Sequence, residues 1–179
     1  MRVIGGVARG RRLKSPRGGA TRPTSDLIRG AVFDMLEALG ADLSRVLDVY
    51  AGTGALGIEA LSRGAGWCDF VERDFRSCRI VEENLALTGL GGRAKVHRGP
   101  VDKVLGRLAG PYTLVLADPP YADEAAPRVL EALASSGKLA PQGVLVLEHS
   151  RRRAVPERLG PLALQQTRRH GDTCVSIYR

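Results

Sequence analysis

Aromatic side chains are scarce, 4% of the 179 residues, and none precedes Phe33. A surface that grips bases by stacking on rings is therefore not expected in the first thirty residues. Cysteine is rare as well. Cys68, Cys78 and Cys174 are odd in number and share no C-x-x-C spacing, which argues against a disulfide framework and a zinc ribbon and leaves three small buried apolar residues. No run of about 18 residues is free of charge, and Met1 to Gly6 contain no apolar segment, so neither a membrane span nor a secretory signal is expected and the compartment is read as cytoplasmic. His97, His149 and His170 each lack a second His or Cys at ligand spacing, so no metal site is expected.

What the chain has in excess is positive charge, a net of +8, and it is concentrated. Residues 1 to 30 hold Arg2, Arg9, Arg11, Arg12, Lys14, Arg17, Arg22 and Arg29 against the single acid Asp26, while the remainder is nearly balanced. Such an arm suits a phosphate backbone, each neutralised phosphate releasing a counterion; charge alone does not separate that reading from a solvated tail. The glycines between Gly5 and Gly19, with Pro16, keep the arm irregular or extended. At 179 residues the chain is one domain with a small appendage, and it is long enough to bury a core without staples.

Thr24, Ser25 and Asp26 offer capping oxygens, and Leu27, Ile28, Ala31, Val32, Met35, Leu36 and Leu39 recur at helical spacing, predicting a helix over 25–39 that docks the arm onto the body. Beyond it strands over 46–50, 67–72, 94–98, 112–117 and 144–148 alternate with helices over 55–63, 75–87, 101–108 and 124–135. Nearly continuous apolar strands in this order mean a parallel sheet covered by helices on both faces, an α/β, Rossmann-like arrangement that binds its ligand at the carboxyl ends of the strands. Strands over 162–167 and 173–178, joined by the short stretch Arg168 to Asp172, close a seven-stranded sheet with an antiparallel hairpin.

Two clusters carry chemistry. The first lies at the exit of the 46–50 strand: Asp48, Val49, Tyr50, Ala51, Gly52, Thr53, Gly54, Ala55, Leu56, Gly57. Gly52 and Gly54 let backbone approach a ligand, Gly57 lets the next helix pack on the strand, and Glu72 at the end of the next strand is placed for ribose hydroxyls. By itself the glycine spacing also fits a dinucleotide pyrophosphate. Asp48 weighs against that, because a carboxylate facing the loop repels pyrophosphate and attracts the sulfonium or ammonium of S-adenosylmethionine.

The second cluster is Asp118, Pro119, Pro120, Tyr121, directly after the 112–117 strand. Two prolines break the strand at the sheet's carboxyl edge. An amino group conjugated to a base is a poor nucleophile. If Asp118 and a prolyl carbonyl accept its two hydrogens, the lone pair turns outward and the charge developing on nitrogen is stabilised, while the Tyr121 ring stacks on the base.

These motifs resemble those of N-directed, Rossmann-like S-adenosylmethionine-dependent methyltransferases. More narrowly, Arg2 to Leu13 (RVIGGVARGRRL), Arg22 to Leu36 (RPTSDLIRGAVFDML) and Asp48 to Ala65 (DVYAGTGALGIEALSRGA) resemble the bacterial 16S ribosomal RNA guanine-N2 methyltransferase family. The likeness continues through Val71, Glu72, Asn84, Leu85 and Asp118 to Tyr121, into Gly171 to Tyr178. The resemblance implies that Asp48, Gly52 and Gly54 line the methionine part of S-adenosylmethionine, that Ala51 and Thr53 also bind this cofactor, that Glu72 holds its ribose, and that Asp118, Pro119, Pro120 and Tyr121 position guanine N2. It implies that Arg2, Arg9, Arg11, Arg12, Lys14 and Arg22 contact 16S ribosomal RNA, within the 30S subunit or an assembly intermediate. Residues 1–40 are thus read as a basic RNA-binding arm with its docking helix, residues 41–179 as the methyltransferase domain, and the protein as a monomer. One departure stands out: Gly99, Pro100 and Val101 occupy the stretch where relatives carry a polar side chain that reads adenine, so that role passes to the Val101 amide. An adenine-N6 methyltransferase and a non-catalytic RNA-binding factor on the same fold are the alternatives.

Overall fold

The computed structural model describes residues 1–15 and 24–179, and only the backbone of Thr24 and Ser25. Arg17, Arg22 and the Thr24 and Ser25 capping oxygens lie outside the described residues. Helix α1 (Thr24–Ala38) forms because Ile28, Val32, Phe33, Met35 and Leu36 share one buried stripe. The chain then alternates through β1 (Arg45–Val49), α2 (Ala55–Ser62), β2 (Trp67–Glu72), α3 (Phe75–Thr88), β3 (Ala94–Arg98), α4 (Val101–Val104), β4 (Tyr112–Ala117) and α5 (Ala126–Ala134). It ends in β5 (Leu139–Ser150), β6 (Arg158–Leu159), β7 (Leu162–His170) and β8 (Thr173–Tyr178).

Among the described residues eight strands form one sheet in the order β3-β2-β1-β4-β5-β8-β7-β6. β3, β2, β1, β4 and β5 pair in parallel and the rest antiparallel. The chain builds outward from β1 to β3 and returns on the other side of β1 with β4, which opens a crevice at the carboxyl ends between β1 and β4. Alternation sorts the strands' side chains into two cores. Val46, Phe70, Leu114, Leu116, Val144 and Val146 pack under α1 and α2, and Leu47, Val49, Val71, Val115, Leu145 and Leu147 pack under α4 and α5. Phe70, Asp48, Leu116, Val146 and Ile177 stand in one row across five strands, so Asp48 belongs to the α1 side.

The expected seven strands become eight, because the two residues of β6 pair with the start of β7, a span too short to show any hydrophobic alternation. Arg168, Arg169 and His170, expected in the connection, continue β7 opposite Val175, Cys174 and Thr173, so the turn is only Gly171 and Asp172. Antiparallel pairing tolerates exposed arginines at a sheet margin, and sequence alternation therefore misplaces the end of the strand. β1 stops at Val49 rather than Tyr50, which swings to a φ of 59° to start the glycine loop.

The N-terminal segment is not a loose tail. Val3, Ala8 and Leu13 are buried in the α1-side core. Arg2 bridges Arg12 in antiparallel fashion, and the Val7 and Ala8 amides donate to the Ser62 carbonyl and Oγ at 2.8 and 2.9 Å. The Ile4 and Gly5 amides donate to Glu59 Oε2 and Oε1 at 2.8 and 2.7 Å. Among the described residues no helix is long and apolar enough to cross a membrane.

Candidate active site

The carboxyl end of β1 carries Asp48, 1% exposed, whose Oδ2 accepts the Gly57 amide at 2.9 Å from the first turn of α2. α2 comes this close because Gly57 lacks a side chain: a Cβ there would stand 2.3 Å from Phe70 Cε1. Burial pushes the Asp48 carboxyl well above its usual range, and the nearby Asp118 and Glu72 charges push it the same way. The pocket is thus acidic from three strands at once.

Gly52, at φ 56°, has open space where a Cβ would point, the nearest atom being the Tyr50 carbonyl oxygen at 4.0 Å, so a ligand can lie against the loop backbone. Glu72 braces that loop, its Oε2 accepting the Gly52 amide and its Oε1 the Asp74 amide, each at 2.8 Å. Gly54 points elsewhere: its Cβ position faces Val81 and Ile58, so this glycine seats the loop on α3 and α2 and is off the cavity wall.

β4 ends at Ala117 and delivers Asp118, exposed, followed by buried Pro119, exposed Pro120 and Tyr121. The Tyr121 hydroxyl shares a hydrogen bond of 2.8 Å with Thr173 Oγ1 of β8, which fixes the ring at the rim. Both loops open onto one cavity of about 690 Å³. Of the expected residues Asp48, Ala51, Gly52, Thr53, Glu72, Val101, Asp118, Pro119, Pro120 and Tyr121 all line it. Its volume lies in the range of small-molecule and cofactor sites.

Residues that sequence reasoning did not place there also form the wall: Met1, Ile28 and Arg29 from the amino-terminal region, Tyr50 from the loop, and Glu148 and Thr173 from β5 and β8. Arg29 is 3% exposed and pairs with Asp26 at 2.8 Å and with Glu59 at 3.5 Å, while also donating to the Arg2 carbonyl. No motif marks it; its helical spacing from Asp26 was the one available signal. Asn84 ties the segment to the loop, donating to the Thr53 and Lys14 carbonyls at 3.0 and 3.1 Å and accepting the Lys14 amide at 2.7 Å.

Arg2, Arg9, Arg11, Arg12 and Lys14 are all exposed, with Lys14 paired to Glu83 at 2.9 Å. A second set of exposed arginines, Arg151, Arg152 and Arg168, lies at the carboxyl end of β5 and on β7. His149 is held by Ser176 Oγ at 2.9 Å and the Ser150 carbonyl at 3.1 Å, and burial pushes its imidazole pKa down, so it is a locally satisfied side chain. Cys68, Cys78 and Cys174 are buried and free.

The acidic side chains of Asp48, Glu72 and Asp118 meet around the glycine loop, a setting that suits a cation better than a pyrophosphate, and the adjoining Asp-Pro-Pro-Tyr turn has the acceptors an amino group needs. Fold and site together define a Rossmann-like methyltransferase. The family described as conserved hypothetical protein 95 matches residues 1–179. YlbH of Bacillus subtilis is 38% identical over 182 residues, spanning 100% of this chain and 98% of the relative. The ribosomal RNA small subunit methyltransferase D of Escherichia coli is 31% identical over 179 residues, spanning 100% of this chain and 89% of that one. A solved structure of a hypothetical protein from Thermus thermophilus superimposes with a TM-score of 0.84 at 33% identity, covering 99% of this chain and 98% of that one. The chain belongs to the conserved hypothetical protein 95 family, the methyltransferase D type that its sequence resembles.

Proposed function

We propose that the protein methylates the exocyclic N2 of a guanine in 16S ribosomal RNA, with S-adenosylmethionine as donor. The observation that carries the reading is the single cavity onto which Asp48 and Asp118 both open. Support for the RNA comes from the Escherichia coli relative, a ribosomal RNA small subunit methyltransferase, and from exposed arginines at the N-terminal segment and beside the β5 and β7 ends. A ribosomal substrate, in the 30S particle or an assembly intermediate, places the work in the cytoplasm.

Asp48 faces the cationic end of the donor, Gly52 offers its backbone, Glu72 holds the ribose, and the Val101 amide at the start of α4 reads adenine. Bound there, the donor supplies an electrophilic methyl group on a sulfonium, which leaves as S-adenosylhomocysteine. Asp118 and the Pro119 carbonyl accept the two hydrogens of the guanine amino group, turning the nitrogen lone pair toward the methyl carbon. Tyr121, its hydroxyl held by Thr173, stacks on the base and keeps the nitrogen in line. As the nitrogen–carbon bond forms, Asp118 stabilises the positive charge on nitrogen, and one amino proton leaves to water through it.

Small subunits from a strain lacking the modification, incubated with labelled donor, are expected to yield labelled N2-methylguanosine after nuclease digestion. Label in adenine alone, or none, overturns the reading.

Asp48 supplies a test of donor binding. Asp48→Asn keeps an oxygen for the Gly57 amide and removes the charge, so donor Kd is expected to rise about 10- to 100-fold at neutral pH by calorimetry. Because burial raises the wild-type carboxyl, wild-type affinity falls as pH drops through that raised pKa, whereas the variant's affinity does not follow it. The sign for stability is opposite. A raised folded pKa makes the ionised group a penalty that grows as pH rises from the unfolded value to the folded one, so the unliganded variant melts higher at neutral pH and the gain vanishes in acid. A variant that binds the donor as tightly as wild type at neutral pH removes Asp48 from the donor site.

A further inference from the structure

We propose that Glu148 makes this site select guanine over adenine by accepting the guanine N1 hydrogen, an inference resting on the guanine-N2 reading above. β4 and β5 run in parallel with Leu116 opposite Val146 and Ala117 opposite Leu147. One step past this last pair come Asp118, just beyond the end of β4, and Glu148, on neighbouring strands whose spacing is roughly 4.8 Å. Both continue the α1-side alternation of Leu114 and Leu116 on one strand and Val144 and Val146 on the other, and both line the cavity. Their neighbours go the other way: Leu147 packs in the α5-side core and the His149 ring bonds Ser176.

The position asks for an explanation. Val146 and Val144 fill the same face two and four residues deeper, and an apolar residue at 148 would continue that core. A glutamate instead adds another carboxylate to a cavity wall that already carries Asp48 and Asp118, where like charges repel. Guanine repays that arrangement. Along one edge it offers two N2 hydrogens and the N1 hydrogen, three donors side by side, and two carboxylates one strand apart can receive the amino group and the ring N–H separately. Adenine presents an N1 lone pair at the corresponding place, which a carboxylate rejects, and a site built around a substrate donor discriminates strongly against a base that lacks it. The base is also oriented for this. Glu148 pairs in register with Val175 of β8, two residues from Thr173, whose Oγ1 holds the Tyr121 hydroxyl, so the stacking ring and the reading carboxylate hang from the same strand pair.

The test uses small subunits assembled with 16S RNA in which the methylated guanine, once mapped, is replaced by 2,6-diaminopurine. That base keeps the 2-amino group but has a lone pair at N1 and an amino group at position 6. Wild type is expected to prefer guanine by about a hundredfold or more in kcat/KM. In Glu148→Gln the amide can offer an N–H to the diaminopurine N1, so the guanine rate falls, the diaminopurine rate rises, and the ratio drops at least about tenfold. Glu148→Asp should retain part of the guanine preference, and donor Kd should stay at the wild-type value in both variants. An unchanged base ratio in Glu148→Gln, with guanine still methylated at N2, overturns this inference alone. Label found only in adenine for wild type overturns the guanine reading itself and this inference with it.

Discussion

Asp118→Ala is expected to slow single-turnover methyl transfer about 10²- to 10³-fold, ~3–4 kcal/mol of transition-state stabilisation, while changing donor affinity less than about threefold. The split follows from what Asp118 does at each stage. In the ground state the amino group is nearly neutral and its hydrogens can find water; in the transition state the nitrogen becomes cationic, and a carboxylate at hydrogen-bond distance is then worth most. Donor binding changes little because two effects oppose. Removing Asp118 subtracts one attractive charge from the cavity, but it also relieves Asp48 of a neighbour that pushes its carboxyl upward, leaving Asp48 more readily ionised. Rapid-quench measurement with saturating donor gives the first quantity and calorimetry the second. Equal losses in rate and donor affinity would make Asp118 a structural residue and withdraw its place beside the amino group.

Much of this site was legible without coordinates because it is local. The glycine loop and the Asp-Pro-Pro-Tyr turn are each contiguous, and each lies at the carboxyl end of a strand whose apolar run announces it. Alternating strands and helices then require those ends to share one edge of a parallel sheet, so their meeting followed from topology. Glu72 was readable for the same reason, ending the next strand. Glu148 was not. Its role depends on the register between β4 and β5, and β5 begins five residues earlier than apolar alternation indicates, with a shift in pairing between Tyr112 and Leu114. Tyr50 resembles a strand residue in every local respect, and only the left-handed turn into the loop takes it out of β1, where burial and the charges of Asp123 and Asp102 push its hydroxyl up to about 12. The N-terminal segment is the largest difference. Its charge is plain in the sequence, but the contacts that dock it join residues more than fifty positions apart, and no periodicity records them.

Two of those contacts end on Glu59, and Glu59→Ala is expected to destabilise the protein by about 3–5 kcal/mol in urea unfolding. Glu59 is wholly buried on α2, and its two oxygens accept the Ile4 and Gly5 amides and Arg63 Nε at 2.9 Å, with Arg29 Nε 3.5 Å away. Alanine leaves two half-buried amides without their acceptor and strips Arg29, 3% exposed, of one of its two carboxylates, and the cost of such truncation comes mostly from the groups left behind. Glu59→Gln keeps an oxygen for one amide and fills the same space, so its loss should be smaller by half or more. The effect reaches the cavity as well. Met1, Ile28 and Arg29 are part of its wall, and Thr53 of the glycine loop is bound through Asn84 to the Lys14 backbone, so a segment released from α2 loosens one side of the donor site. Donor affinity should therefore weaken in Glu59→Ala and recover in parallel with stability in Glu59→Gln. A variant that unfolds within about 0.5 kcal/mol of wild type would mean that the amides and Arg29 find other partners at no cost, and that Glu59 is not what fastens the N-terminal segment to the sheet.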